Sequence, residues 1–429
     1  MDDIYDAIIV GAGLAGSAAA IKLAQQGLEV VLIERGPYPG SKNLSGGVLY
    51  GRVLNDLIPN YWEEAPIERY ITNQVVTFMT EDASFNIDFK TQKFNTPPYN
   101  GFSVLRAKFD RWLAEKAEAN GTMLVPGIRV DHLIQKESRV VGIVAGDEQM
   151  YAKVVIAADG ANSFLAQEAG LHQRIPTKHL AVGVKELIGL PRETIEERFH
   201  LTGNEGAAYG IVGFATHGVP GGAFLYTNQE SISIGIVMHI NETVRTKTRP
   251  ADVIESFLAH PMIAPLIKDG KLLEYGAHLI PEGGLEMMPK LFTSGMLVVG
   301  DAAGLSVNNG FVVRGMDLAL GSGIAAAEAV LEAKEKNDFS AESLSMYQKK
   351  LESSFVLKDM NTYAGAPYFM KRSRLYDSYP DFLTRMMTEI YLQESMPKDH
   401  ILSSAMKSLK KSGISLIDLA KDGLGVRNL

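Results

Sequence analysis

The chain has 429 residues, 46% hydrophobic and 21% charged, enough for two or three domains or for one large α/β unit carrying an insertion. A net charge of −8 argues against nucleic acid as a main partner. The absence of cysteine excludes disulfides, thiolate metal sites, a catalytic thiol and any iron–sulfur cluster carried on this chain, so redox work requires a bound organic cofactor.

Ala7 to Val10 is an unrelieved apolar run, short enough for a buried parallel strand. Gly11, Gly13 and Gly16 follow in G-x-G-x-x-G spacing, and small residues continue at helical periodicity through Ala18, Ala19, Ala20 and Leu23 to a stop at Gln26-Gly27. Glu29 to Ile33 reads as a second strand with Glu34 at its carboxyl end. Gly11 permits the tight turn, Gly13 lets a pyrophosphate approach the backbone, and Gly16 lets helix and strand pack closely. The helix N-terminus offers N–H groups to the anion, while Glu34 can accept from ribose hydroxyls and disfavours a 2′-phosphate. A signal peptide or membrane span over Ile8 to Ala24 is the weaker reading. The apolar portion is short, Lys22 interrupts it, and Asp2, Asp3 and Asp6 precede it. The expected location is therefore cytoplasmic.

Gly36 to Gly40 is a loop, running into Ser41 to Gly47, where Lys42 among small residues can cradle a phosphate or approach a flat ring, a solvated turn being the equal alternative. Residues 48–69 read as helical, and 71–103 as short strands joined by the Asn95-Thr96-Pro97-Pro98 turn. Leu105 to Gly121 is an amphipathic helix whose stripe of Phe109, Trp112, Leu113 and Ala117 reads as core. Arg106 at its start points to a nearby anion, because basic residues favour the other end of a helix. Residues 123–157 read as strands with a turn at Gly146-Asp147. Asp159-Gly160 stands at the carboxyl end of the last, where open α/β sheets place ligands.

From about 165 to 275, short alternating segments between glycine-rich turns indicate an inserted antiparallel sheet, followed by a helix near Ala251 to His260. Leu297 to Gly304 is a second buried strand ending at an acid. There Asp301 either binds a hydroxylated chain or caps the following turn, and the company of the N-terminal fingerprint favours binding. Asn308, Asn309 and Gly310 supply turn chemistry, the N–H groups of Gly310 to Val312 are expected to be free to face an electron-rich ring, and Gly315 to Ala333 is a small-residue helix. Asp301, Arg314, Asp317 and Glu328 rule out a span over Gly295 to Leu331. Residues 340–429 read as helical and hold 13 basic against 10 acidic residues, a balance of +3 that leaves −11 on the first 339. Lys371, Arg372, Arg374, Lys407, Lys410 and Lys411 are candidates for a partner-binding or membrane-surface face, the alternative being a plain solvated cap.

The expected fold is α/β (α+β overall): a Rossmann-like nucleotide-binding domain over 1–70, 100–165 and 275–335, an inserted antiparallel β-sheet substrate domain over 71–99 and 166–274, and a C-terminal helical region over 336–429.

These motifs together resemble the FAD-dependent glutathione-reductase/hydroxylase superfamily and, within it, the electron-transfer flavoprotein–quinone oxidoreductases of the FixC-like branch. The resemblance covers nearly the whole length. It is carried by KNLSGG (42–47), SVLRAKFDRWLAEKAE (103–118), AADGANS (157–163), AHLIPEGG (277–284) and GDAAGLSVNNGFVVRGMDLALGSG (300–323). It implies that Gly11, Gly13, Gly16, Glu34 and Arg35 hold the ADP half of a non-covalent FAD. Arg106 would neutralise the pyrophosphate region, and Asp301 would bind the ribityl or phosphate end. Ser45, Gly46 and Gly47 would lie near the isoalloxazine with Gly310 and Phe311, while Ala12, Leu14, Ala15, Lys42, Asn43, Val130, Asp159, Gly160 and Gly300 would complete the site. The resemblance further implies electron transfer from a reduced electron-transfer flavoprotein to a quinone, with flavin chemistry in place of an acid–base triad. Larger family members carry a cysteine-ligated [4Fe–4S] cluster. Here it would reside on a separate ferredoxin-like subunit, and the chain would work in a complex, peripheral at the inner face of the cell membrane. Competing readings are a geranylgeranyl-reductase-like flavoprotein, a flavin monooxygenase (which Ala302-Ala303-Gly304 fits poorly), and an electron-transfer subunit inert outside its complex.

Overall fold

The structure, a computed structural model, describes residues 4–43, 46–173 and 175–429. Its first sheet is built on Ile4–Val10 (β1), parallel to both Val30–Glu34 (β2) and Glu148–Ala157. Met123–Pro126 extends it beyond β2 and Met296–Val298 beyond Glu148–Ala157, both also parallel. Ala7, Ile8 and Ile9 are fully buried, as a strand covered on both faces requires. The Leu14–Ala24 helix (α1) packs against Met316–Glu335 and Arg106–Ala119. Small residues set that distance: a Cβ on Gly323 would lie 2.2 Å from the Ala15 carbonyl oxygen.

The second sheet runs Lys271–Pro281, Leu180–Gly189, Ser231–His239, Gly221–Thr227, Glu205–Gly213, Ile67–Met79, Gly101–Leu105, Gly46–Tyr50, with Ser84–Lys90 also on Ile67–Met79. The expected antiparallel pairing holds except that Glu205–Gly213 lies parallel to Ile67–Met79. The helical reading of 48–69 is corrected: only Arg52–Leu57 is α-helical, with a short 3-10 turn at Tyr61–Glu63. Both ends of that segment are strands because they have distant partners, Val48 opposite Ser103 and Tyr70 opposite Phe102, which local periodicity cannot register. The sheet thus takes Gly46–Tyr50, part of Ile67–Met79, Gly101–Leu105 and most of Lys271–Pro281 from stretches assigned by sequence to the nucleotide-binding domain.

Buried Arg69 ties this sheet together. It donates to the carbonyls of Asn228 (2.7 Å), Gly203 (3.1 Å) and Glu205 (3.0 Å) and pairs with Glu196 at 3.3 Å. The C-terminal region is helical, as expected, ending in Ser378–Tyr391, Ile401–Lys411 and Leu416–Gly425. Among the described residues no helix is long and apolar enough to cross a membrane.

Candidate functional site

The turn between β1 and α1 is shaped by Gly11, whose φ of +107° and 2.2 Å approach of an added Cβ to the Ala158 carbonyl exclude a side chain. Gly16 is equally confined, a Cβ there meeting the Gly11 carbonyl at 1.9 Å. The N-cap of α1 is Gly13, which offers no side-chain cap, and the first amide bonded into the turn is Ser17 N–H, 2.9 Å from the Gly13 carbonyl. The first-turn amides of Leu14, Ala15 and Gly16 therefore form an anion seat. Arg106 borders it, its guanidinium 4.0 Å from where a Gly13 Cβ would stand. The Glu34 carboxylate accepts from Ala12 N–H (3.1 Å) and Gly36 N–H (2.7 Å), which leaves lone pairs for ribose hydroxyls. Ile128 N–H donates to the Glu34 carbonyl at 3.0 Å, bringing the segment that holds Val130 past the same strand end, where Arg35 is exposed.

The anion expected beside Arg106 is in the first instance the chain's own Asp110, bound through Nε at 2.6 Å and a second guanidinium nitrogen at 2.7 Å. Asn43 Nδ2 donates to the same fully buried carboxylate at 2.8 Å. Burial alone would lower the Arg106 pKa; Asp110 and then Asp301 override it and hold it raised. Gly46 pairs with Leu105, which sets it beside Arg106, and a Cβ on Gly47 would meet Met316 at 3.1 Å. Ser45 lies outside the described residues. Lys42 is exposed and, among the described residues, has no hydrogen-bond or ion-pair partner.

Asp301 sits in the 3-10 turn Gly300–Ala303, whose N-cap is Val299, so it is not the helix cap that its sequence position allowed. Gly300 stands against α1, an added Cβ meeting that of Ala15 at 2.9 Å. Burial raises the Asp301 pKa, opposed by Arg106, His278 and Lys185. Burial and then Arg106 push the Lys185 amine down to about 8, and burial and then Lys185 lower His278. Sequence reasoning missed Lys185 and His278. They share a face because Gly183 pairs with His278 and Lys185 with Gly276 on adjacent strands, a register that no single segment displays. Asp159 Oδ2 accepts from Leu165 N–H at 3.0 Å, while its Oδ1 is buried and without a partner among the described residues. Beside it Gly160 has φ +76° and open space where a Cβ would stand. An uncapped helix N-terminus, an acid at the end of β2, a buried carboxylate oxygen without a partner among the described residues and a convergence of Arg106, Lys185 and Asp301 fit a dinucleotide-sized, anionic, hydroxylated cofactor.

Gly310 and Phe311 lie on the tip of a hairpin, Val307–Asn308 paired with Val313–Arg314. Their N–H groups are not free as expected. Asn308 Oδ1 accepts from Gly310 (3.0 Å), and Asn309 Oδ1 accepts from Phe311 (3.1 Å) and Val312 (2.9 Å), the usual habit of asparagine in turns. Phe311 is 64% exposed. Behind the hairpin is a largely apolar cavity of about 680 Å³, solvent at its mouth included, whose polar lining comprises His239, Glu282, Ser306, Asn308, Tyr363 and Tyr376.

In the C-terminal region most of the candidate cations have partners within the chain. Lys407 pairs with Asp399, Lys411 with Glu389 at 3.2 Å, and Arg372 and Arg374 both grip Asp422, while Lys371 donates to the Lys178 carbonyl at 3.2 Å. Of the six candidates, Lys410 alone has no partner among the described residues. What the tail exposes instead is apolar: Tyr391, Leu392, Met396, Ile401, Leu402 and Ile417 are each at least half exposed.

Three family models match the chain in succession: "FAD dependent oxidoreductase" over residues 6–187, "ETF-QO, ubiquinone-binding" over 180–280 and "ETF-QO/FixC family C-terminal domain" over 366–427. The chain is 45% identical to a probable electron transfer flavoprotein-quinone oxidoreductase, YdiS, of Escherichia coli K12, over 99% of this chain and 98% of that one. It is 44% identical to Protein FixC of Escherichia coli O157:H7 over the same shares. Among solved structures, a geranylgeranyl bacteriochlorophyll reductase-like protein from Thermoplasma acidophilum superposes with a TM-score of 0.74 at 21% identity, covering 99% of this chain and 100% of that one. The flavin-dependent brominase Bmp2 gives 0.65 at 18%, with 90% of each covered; both likenesses concern the fold alone. With near-identical full lengths and a family model on each third of the molecule, the chain belongs to the electron-transfer flavoprotein–quinone oxidoreductase family, in its FixC-like branch.

Proposed function

We propose that the protein holds one non-covalent FAD and passes electrons from a reduced electron-transfer flavoprotein to a quinone. The observation that carries the cofactor half is the joining of the uncapped α1 N-terminus, Glu34, Arg106 and Asp301 at the carboxyl ends of the parallel strands. When bound, the flavin supplies the two-electron redox chemistry. The α1 amides and Arg106 neutralise the phosphates, Glu34 orients the ribose, Asp159 and Asp301 receive hydroxyl groups, and Gly46, Gly47, Gly310 and Phe311 border the ring. Lys185 and Arg106 hold positive charge near Asp301, which favours an electron-rich, reduced ring.

The largely apolar lining of the cavity behind the Asn308–Val313 hairpin, with a few polar groups among it, suits a flat quinone head. The full set of electron carriers includes a separate ferredoxin-like subunit, since a cysteine-free chain holds no [4Fe–4S] cluster. The exposed apolar tail supports peripheral contact with the membrane surface that supplies the quinone. The test is anaerobic mixing of the FAD-loaded, dithionite-reduced protein with a short-chain ubiquinone. Flavin reoxidation with matching quinol formation is expected. Flavin reoxidised by isoprenoid double bonds but inert to quinone would replace this reading with a prenyl reductase.

A further inference from the structure

Two titratable side chains of the hairpin cavity are unused by the cofactor site. His239 ends the strand Ser231–His239, and Glu282 follows the strand Lys271–Pro281. Both strands pair with Leu180–Gly189, with Ala181 opposite His239 on one side and Leu180 opposite Pro281 on the other, so the sheet carries the two side chains to one end of that strand. His239 Nε2 lies 3.2 Å from Glu282 Oε2, with side chains only 10% and 15% exposed, and both line the cavity. The surrounding wall is largely apolar, with Ile280, Val307, Val313, Met360 and Met370. Ser306 Oγ donates to the Pro281 carbonyl at 2.8 Å and keeps its lone pairs.

Among the described residues no lysine or arginine lies within ion-pair distance of Glu282. Burial pushes the Glu282 carboxyl up to about 7, against the pull of Lys371. Burial, then Lys371, push His239 down to about 4, with Glu242 opposing. Tyr376, held high by burial and then Glu282, lines the same cavity, as does Tyr363. Below about pH 7 the titratable proton of the pair therefore resides on Glu282 and, with His239 neutral, the pair carries little net charge. Such a pair is an expensive way to fill an apolar wall, since hydrophobic residues of similar volume would serve packing at least as well.

We propose that the His239–Glu282 pair is the proton donor to the quinone reduced in this cavity, an inference that rests on the quinone reading above. Reduction of a quinone to a quinol adds two electrons and two protons. The electrons, and one of the protons, are those released when the reduced flavin is oxidised. The other proton passes from the Glu282 carboxyl to a quinone oxygen, forming an O–H bond and leaving a carboxylate that His239 Nε2–H stabilises. Water at the cavity mouth then returns a proton to the pair.

The test uses the FAD-loaded full-length protein, reduced with dithionite and mixed with ubiquinone-1 or with ferricenium, which accepts an electron and no proton. Glu282→Gln is expected to keep its flavin and reduce ferricenium within about twofold of wild type. It should reduce ubiquinone-1 about tenfold or more slowly, the scale of a lost general acid. The wild-type ubiquinone-1 rate should fall as pH rises through about 7, where Glu282 loses its proton, and that dependence should vanish in Glu282→Gln and return in Glu282→Asp. Infrared spectra of the wild type should show a protonated carboxyl stretch that titrates near neutrality. No such band, or ubiquinone-1 reduction by Glu282→Gln at the wild-type rate, overturns the inference. A wild type that reduces ferricenium but not ubiquinone-1 overturns the quinone reading itself.

Discussion

Glu34 and Arg69 represent two kinds of polar residue, one at the strand end where the ribose is proposed to bind and one buried within the second sheet. Glu34→Ala removes the ribose acceptor together with the acceptor of the Ala12 and Gly36 amides. At about 1.5–3 kcal/mol for a hydrogen bond to a charged group, FAD affinity should fall about 10- to 100-fold, measured by fluorescence of released flavin. Unchanged affinity would remove Glu34 from the site. Arg69→Met removes a donor from the carbonyls of Asn228, Gly203, Glu205 and Gln229 and leaves Glu196 to Arg192, and should cost about 1–3 kcal/mol in denaturant unfolding without touching the cofactor seat. The place of Glu34 at the end of its strand was legible in the sequence because the strand–turn–helix–strand pattern is local. The Asp110 partner of Arg106 lay four residues away, a spacing that itself announces an intrahelical pair. Lys185 with His278, and His239 with Glu282, were illegible because each pair exists only through register between strands far apart in the chain.

At the scale of elements, α1 and Met316–Glu335 are held together by what their sequences lack. Gly323→Val would drive a side chain into the Ala15 carbonyl and should cost about 1–3 kcal/mol as overpacking, visible as a lower melting temperature and faster flavin loss. The strand–turn–helix unit was readable because every residue in it answers a local requirement. The parallel contact of Glu205–Gly213 with Ile67–Met79 was not, since it depends on a crossover more than 100 residues long. In the tail, Asp422 joins Arg372, Arg374 and Tyr379. The bond from Arg374 is foremost among the contacts that hold its carboxyl down to about 2. Because the folded value lies below the ordinary 3.8, the tie contributes fully above about pH 4 and is lost as pH falls toward 2. Acid should therefore release the tail to protease within that window, and Asp422→Asn should release it already at neutral pH.

For the whole molecule, the positive balance of residues 340–429 is only part of the picture, because ion pairs within the tail engage Arg372, Arg374, Arg385, Lys407 and Lys411 while several large apolar side chains stay outside. Vesicle binding should then change little with salt, whereas Ile401→Ser with Leu402→Ser should abolish cosedimentation and spare turnover of a water-soluble quinone. Loss of binding at high salt with the double variant unaffected would restore the charge-based view. The interleaving of the two sheets also sets a schedule for biosynthesis. Ile67–Met79 leaves the ribosome long before Glu205–Gly213 exists to lie beside it, and Gly11 emerges almost 300 residues ahead of Asp301. Nascent chains must therefore keep the open edge of Ile67–Met79 from aggregating until about half of the polypeptide has been made. The proposed flavin site is complete only once Asp301 has been made, so added flavin should protect the finished chain from unfolding and not its N-terminal half.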